Sequence, residues 1–356
     1  MNDRPAPNTS VALSDHPTEE GAPAAPDYTR IREWLEGAEC IWLPLHVSPD
    51  GDCIGSCLGF ARALTQRGYS CAVVSSDPIP DMYLPLINPE DIHIHVGDVP
   101  PGPPATHIAC LDISDPARTG RFYEANEAAF RGETGVKVLN LDHHATNLEF
   151  GDLILLDVGA AACAEQIAIA LKELGWEIDE QTANYLLLGI TTDTLGFRTP
   201  ATTPRTLRIA ADLAERGGNL YRINDAVFNT RPLSTLMLWS KALGSIAIGA
   251  GGRVIYVRVT PQMLDEVGAK EEELEGLVNY LASVRGKVKV AAVLKEREDG
   301  VTKASLRSHP GVDVSKIAQR FGGGGHTQAA GATIPAVGRK AVRMFLKAAE
   351  EELDES

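Results

Sequence analysis

Short apolar runs alternate with longer stretches of helical spacing from residue 28 onward. Residues 41–45, 69–74, 106–111, 136–141 and 153–157 read as strands. Residues 28–37, 54–64, 116–130, 160–174, 179–191 and 204–217 carry the spacing of helices, the last opening on Pro204 in a first-turn position. This alternation predicts an α/β fold in which a mostly parallel sheet has helices on both faces. In such a sheet a ligand binds in the crevice outside the carboxyl ends of the strands. The polar residues of this chain stand at those ends.

The pattern stops and restarts in ways that divide the chain. Residues 1–27 are rich in Pro, Ala, Asp, Glu and Thr without an apolar period, and read as a disordered tail. A first domain is expected over 28–200, a helical linker over 201–240, and a smaller α/β domain with a mixed sheet over 241–356. In that second domain 254–259, 288–294, 302–306 and 332–335 read as strands, and 270–284, 314–320 and 339–351 as helices.

The strand-end residues form a constellation. His46, Asp50 and Asp52 follow the first strand in the stretch LHVSPDGDCIGS, where Gly51 is read as letting the backbone turn between the two carboxylates. Asp112 ends the 106–111 run, Asp142, His143 and His144 end the 136–141 run, and Asp193 lies just past a predicted helix. Mixed imidazole and carboxylate ligands suit Mn(II), Zn(II) or Fe(II) better than Ca(II), and imidazole weighs against a site for Mg(II) alone. For His46, Asp50, Asp52, Asp112, His143 and Asp193 together, two ions sharing a carboxylate is the economical arrangement. Such a pair acidifies a bridging water and clamps the oxygens of a phosphoryl centre, which predicts a hydrolase attacking phosphorus.

Charge narrows the substrate. With 48 acidic against 33 basic residues the net charge is -15, which argues against capture of long duplex nucleic acid. A phosphorylated substrate stays compatible, because bound cations invert the local field. The six cysteines, at 40, 53, 57, 71, 110 and 163, fall mostly in apolar segments and read as small buried residues of a reducing compartment; Cys53 and Cys57 lack a partner pair at zinc spacing. No run has the apolar length of a membrane span and the first 28 residues lack the order of a signal peptide, so a cytoplasmic protein is expected.

The motifs HVSPDGDCIGS, LD at 111–112, LDHHATN at 141–147 and TTDTLGFR at 191–198 resemble those of the DHH phosphoesterase superfamily. SLRS at 305–308 and FGGGGHTQAAG at 321–331 are similar to its companion DHHA1 substrate domain, and order and spacing resemble the bacterial nanoRNase and pAp phosphatase branch. The resemblance implies two Mn2+ ions, one held by His46, Asp50 and Asp112 and the other by Asp52, Asp112, His143 and Asp193. It implies that His144 faces the phosphate, that Asp142 orients the neighbouring histidines, and that Arg198 touches substrate. Arg307, Ser308, Gly323, Gly324, Gly325 and His326 are expected to grip the substrate end away from the cleaved bond, with glycine amides open to an anion and the active site in an interdomain cleft. The implied reaction is attack of a metal-bridging hydroxide on short single-stranded RNA, pApA or pGpG, with removal of the 3′-phosphate of pAp. Cyclic di-AMP is the alternative substrate; inorganic pyrophosphate and a non-catalytic nucleotide-binding role rank below it. Many relatives of this type are homodimers, and no stretch of this sequence identifies an interface.

Overall fold

The computed structural model describes residues 26–88 and 94–355, so the expected tail lies almost wholly outside the described residues. The chain divides into two compact units, Met1–Thr230 and Arg231–Ser356.

In the first unit six strands form one parallel sheet: β1 (Cys40–Pro44), β2 (Ser70–Ser75), β3 (Ile94–Val96), β4 (His107–Leu111), β5 (Lys137–Asp142) and β6 (Leu153–Leu156), in the order β3-β2-β1-β4-β5-β6. Its helices are α1 (Ile31–Trp34), α2 (Gly51–Gln66), α3 (Arg121–Phe130), α4 (Cys163–Glu173), α5 (Glu180–Asp193), α6 (Pro204–Glu215) and α7 (Leu220–Asn224). The central strands are mostly apolar because both faces are covered. Ile41, Leu43, Ala109, Leu111, Leu139 and Leu141 pack with α2, α4 and α5. Trp42, Ile108, Cys110 and Val138 join Phe122 and Ala129 of α3 on the other side.

Helix α2 lies closely against α5, and glycine makes the approach possible. A Cβ on Gly55 would stand 2.3 Å from the Tyr185 carbonyl oxygen, and one on Gly189 would stand 2.6 Å from Asp52 Oδ1. Gly51 has a different role from the turn expected of it. It is the first residue of α2, and a Cβ there would meet Thr192 Cγ2 at 2.4 Å. The glycine answers a neighbouring helix, while the turn itself is made by Asp50, which caps α2.

The second unit holds α8 (Leu233–Gly244), β7 (Ala247–Gly249), β8 (Val254–Val259), α9 (Pro261–Val267), α10 (Leu277–Ala282), β9 (Val290–Glu296), β10 (Thr302–Ser308), α11 (Val314–Gln319), β11 (Gly324–His326), β12 (Ala329–Ile334) and α12 (Gly338–Glu355). Its sheet runs β11-β12-β10-β9-β8-β7, with only β8 and β9 parallel. The expected linker is shared out: α6 packs on α4 and α5, and α8 packs on α9 and β8. The single helix expected over 270–284 is broken at Gly276, whose φ of +85° interrupts the helical path before α10.

Candidate metal centre

Strands β1 and β4 are neighbours, and the chain winds away from them in opposite directions. The crevice outside their carboxyl ends is therefore the topological switch point of the sheet. His46 follows β1, Asp50 caps α2 through its Oδ1 to the amides of Asp52 and Cys53, and Asp112 is the first residue after β4. Asp142 ends β5, His143 and His144 come next, and Asp193 is the last residue of α5 rather than one beyond it. Asp112 takes a left-handed backbone conformation at φ 60°, with its N–H donating to the Leu141 carbonyl at 3.0 Å. Aspartate tolerates that region better than most residues, and strain of this kind concentrates at functional sites.

Two imidazoles are oriented from behind. His46 Nδ1 lies 2.9 Å from the Val47 carbonyl and His143 Nδ1 3.3 Å from the Ala160 carbonyl. A carbonyl can only accept, so both Nδ1 atoms carry a proton, and in the neutral imidazoles both Nε2 atoms present a lone pair. His46 Nε2 stands 3.6 Å from Asp50 Oδ1 and 3.7 Å from Asp112 Oδ2. His143 Nε2 stands 3.4 Å from Asp112 Oδ1, 3.5 Å from Asp193 Oδ2 and 3.8 Å from Asp52 Oδ2. Buried acceptors thus converge on acceptors, and Asp112 Oδ1 and His143 Nε2 have no hydrogen-bond partner. That arrangement is costly unless a cation, proton or metal, lies among them. The residues present therefore fit a divalent metal, and the donor set is one that first-row ions favour.

Asp112 faces both groups, Oδ2 toward His46 and Oδ1 toward His143. Asp52 is almost fully buried, and its carboxylate also accepts the amides of Cys163 and Ala164 at 2.6 and 2.9 Å. Cys53 Sγ lies close enough to His46 and Asp112 to share an ion with them. Its thiol donates toward the Leu111 carbonyl, and burial pushes its pKa well up, which keeps it a thiol.

Asp142 is not a free ligand. Its Oδ1 accepts from the His143 amide and from His144 Nδ1, both at 2.8 Å, and its Oδ2 accepts from Asn147 Nδ2 at 2.6 Å. It lies in contact range of Asp112, His143 and His144, yet both oxygens already have donors. Asp142 thus spends its carboxylate on His143, His144 and Asn147. Asn147 is the residue that sequence reasoning passed over, although it closes the LDHHATN motif.

The charges are strongly coupled. Burial works against a proton on His143, yet the carboxylates of Asp112, Asp52 and Asp193 outweigh it and lift its pKa to about 10. Burial, reinforced by the neighbouring Asp112 and Asp50 charges against the pull of His143, raises Asp193 to about 6. Burial and the Asp112 charge push Asp52 well above the carboxylate range. The hydrogen bond to Asp142 raises His144 despite its burial.

The remaining predicted residues are placed as follows. Arg198 is exposed; its Nε donates to the Leu195 carbonyl at 2.5 Å and its guanidinium lies 5.5 Å over the Phe228 ring, so its direct bonds are local. In the second unit Arg307 is half-buried, with Nε on Asn279 Oδ1 at 2.8 Å and Nη1 on the Leu306 carbonyl at 3.0 Å. Ser308 spends its hydroxyl hydrogen on backbone, with the Val312 carbonyl at 2.7 Å. The glycine run is in part a strand. Gly324–His326 form an edge strand paired antiparallel with β12, and His326 is exposed. A Cβ on Gly323 would lie 2.2 Å from the Gly331 carbonyl oxygen, and one on Gly325 2.5 Å from that of Ala329. Close backbone approach dictates these glycines.

Comparisons with known proteins agree with this architecture. Residues 41–190 match the model of the DHH family, N-terminal domain, and residues 251–355 match that of the DHHA1 domain. A Thermus thermophilus protein named bifunctional oligoribonuclease and PAP phosphatase NrnA is 38% identical over 91% of this chain and 93% of its own length. The Bacillus subtilis protein of the same name is 25% identical over 83% of this chain and 90% of its own length. An exopolyphosphatase-related protein from Bacteroides fragilis superposes with a TM-score of 0.82 at 24% identity, covering 91% of this chain and 95% of that one, which supports the fold. No helix among the described residues is long and apolar enough to cross a membrane. With both domain models matched in order and a relative of this identity along nearly its full length, the chain belongs to the DHH family of phosphoesterases, with a DHHA1 second domain.

Proposed function

We propose that this chain is a cytoplasmic, Mn2+-dependent phosphodiesterase that cleaves very short RNAs, including pApA and pGpG, to mononucleotides and removes the 3′-phosphate of pAp. The observation that carries the reading is the double-faced Asp112, whose two oxygens look toward separate imidazole and carboxylate groups. His46, Asp50 and Asp112 would hold one ion, and Asp52, Asp112, His143 and Asp193 the other. When bound, such a pair supplies Lewis acidity toward a phosphoryl oxygen and acidifies water. His144, held by Asp142 through Nδ1, keeps Nε2 for a proton delivered to the leaving oxygen, and its raised pKa suits a general acid. The names of the relatives support the substrate class.

The test is a panel of pApA, pGpG, pAp, five-nucleotide RNA and cyclic di-AMP compared by kcat/KM with and without Mn2+. The linear substrates should lead and need the metal; preference for cyclic di-AMP, or metal-independent hydrolysis, would overturn the proposal.

Arg307 is assigned to the substrate end. Burial alone lowers its pKa, and no carboxylate of the described residues pairs with it. A partly desolvated guanidinium in that position gains from an anion. Arg307→Ala is expected to raise KM for linear substrates roughly 10- to 100-fold, the worth of one charge-assisted hydrogen bond, while hydrolysis of bis-p-nitrophenyl phosphate stays within about twofold. Equal loss on both substrates would show that Arg307 supports the fold instead.

A further inference from the structure

The ligand atoms of Asp52 and His143 are both oriented by one short segment, the turn between β6 and the start of α4. The Ala160 carbonyl fixes the tautomer of His143, and the amides of Cys163 and Ala164 hold the carboxylate of Asp52. Helix α4 has Ala162 at its N-cap, with no side-chain cap of its own. Asp52, from a distant part of the chain, is its cap. Whatever fixes this segment therefore fixes two proposed ligands of the same ion at once.

A buried ionic network fixes it. Glu165, on the first turn of α4, is fully buried, and a carboxylate there is tolerated only when its oxygens have donors. Oε2 accepts the Ala161 amide at 3.1 Å and the Thr206 hydroxyl at 2.9 Å, and Oε1 accepts Arg205 Nε at 2.5 Å. Arg205, in the first turn of α6, also places Nη1 3.0 Å from Asp157 Oδ2. Asp157 lies just after β6, and its other oxygen accepts the Gly159 amide at 3.0 Å. The turn is thus tied at Gly159 and at Ala161, on either side of the Ala160 carbonyl that His143 uses. None of these side chains reaches the ligand atoms.

We infer that Glu165, Arg205 and Asp157 are positioning residues for one ion of the centre, acting through the Ala160 carbonyl on His143 and through the α4 amides on Asp52. The inference rests on the two-ion reading above. It predicts an asymmetry: the ion held by Asp52, His143 and Asp193 depends on the network, whereas the His46 and Asp50 side does not. Outer partners of metal ligands typically change affinity by about 10- to 100-fold when mutated.

The experiment is calorimetric titration of Mn2+ into the metal-stripped full chain, for wild type, Glu165→Gln, Arg205→Gln and Arg205→Lys, beside thermal unfolding of each metal-free protein. Wild type should show two binding events. Glu165→Gln and Arg205→Gln should weaken one of them about 10- to 100-fold and leave the other within about threefold, and Arg205→Lys should recover part of the loss. Arg205 is half-exposed and Arg205→Lys keeps a cation beside the buried Glu165, so this variant carries the test should Glu165→Gln fail to fold. Unchanged affinities in folded variants, or equal weakening of both events together with loss of metal-free stability, overturn the inference while leaving the two-ion reading in place. A wild-type chain that takes up no Mn2+ overturns that reading and this inference with it.

Discussion

Replacing Asp112 by asparagine should cut kcat/KM by on the order of a thousandfold or more and, at the same time, remove most of the rise in melting temperature that Mn2+ gives. The two effects come from the same geometry. Asp112 is nearly fully buried and both its oxygens face histidine nitrogens of opposite groups, so on the two-ion reading proposed above its loss weakens both ion positions together. Metal stabilisation of a developing phosphoryl charge is worth several kcal/mol, and each 1.36 kcal/mol is a decade in rate. Without metal, the charge on Asp112 hinders ionisation of Asp52 and Asp193 and favours the proton on His143. Asparagine keeps the shape and accepts the left-handed backbone, so it removes both effects without opening a cavity. Scanning calorimetry with and without Mn2+ should show little gain on adding the ion to the variant. Activity retained in Asp112→Asn would sink the bridging role, and a large stability loss without metal would show that the carboxylate is structural.

His46, Asp112 and His143 stand out as candidates in the chain because each follows a strongly apolar segment. They follow strands that are mostly apolar on both faces, and that pattern puts the polar residues after them outside the sheet. What escaped was set by contacts distant in sequence or by residues without a pattern. Strand β3, Ile94–Val96, is too short to show alternation. Strand β11 is made of Gly324, Gly325 and His326, and glycine carries no side-chain period to reveal a strand. The pressure that keeps Gly51 small comes from Thr192, and the amides that hold Asp52 belong to Cys163 and Ala164. Helix-terminal amides have no residue signature at all. Glu165 and Arg205 carry no such signature either, because their pairing joins two different helices.

Acidification should release the metal over a range set by the histidine and the outer aspartate. In the metal-free chain His143 holds a proton with a pKa of about 10, so at neutral pH that proton must leave before Nε2 can bind an ion. Asp193, raised to about 6, adds a second competing proton below that value. Affinity should therefore fall roughly tenfold per pH unit for each proton displaced: at least one near neutrality and one more below pH about 6. Stability without metal runs the opposite way. The folded pKa of His143 lies above its ordinary 6.5, so its contribution is complete below that value and is lost as pH rises through about 10. The folded pKa of Asp193 lies above its ordinary 3.8, so its contribution is complete below that value and is lost as pH rises through about 6. These groups make the metal-free protein less stable toward alkaline pH while Mn2+ binding strengthens, so the Mn2+-induced rise in melting temperature should grow steadily between about pH 5.5 and 8.5. Calorimetry in buffers of different ionisation enthalpy would count the released protons directly. Affinity independent of pH with no proton release would mean that the imidazole is already bare and that the carboxylates around it are not charged as the geometry requires.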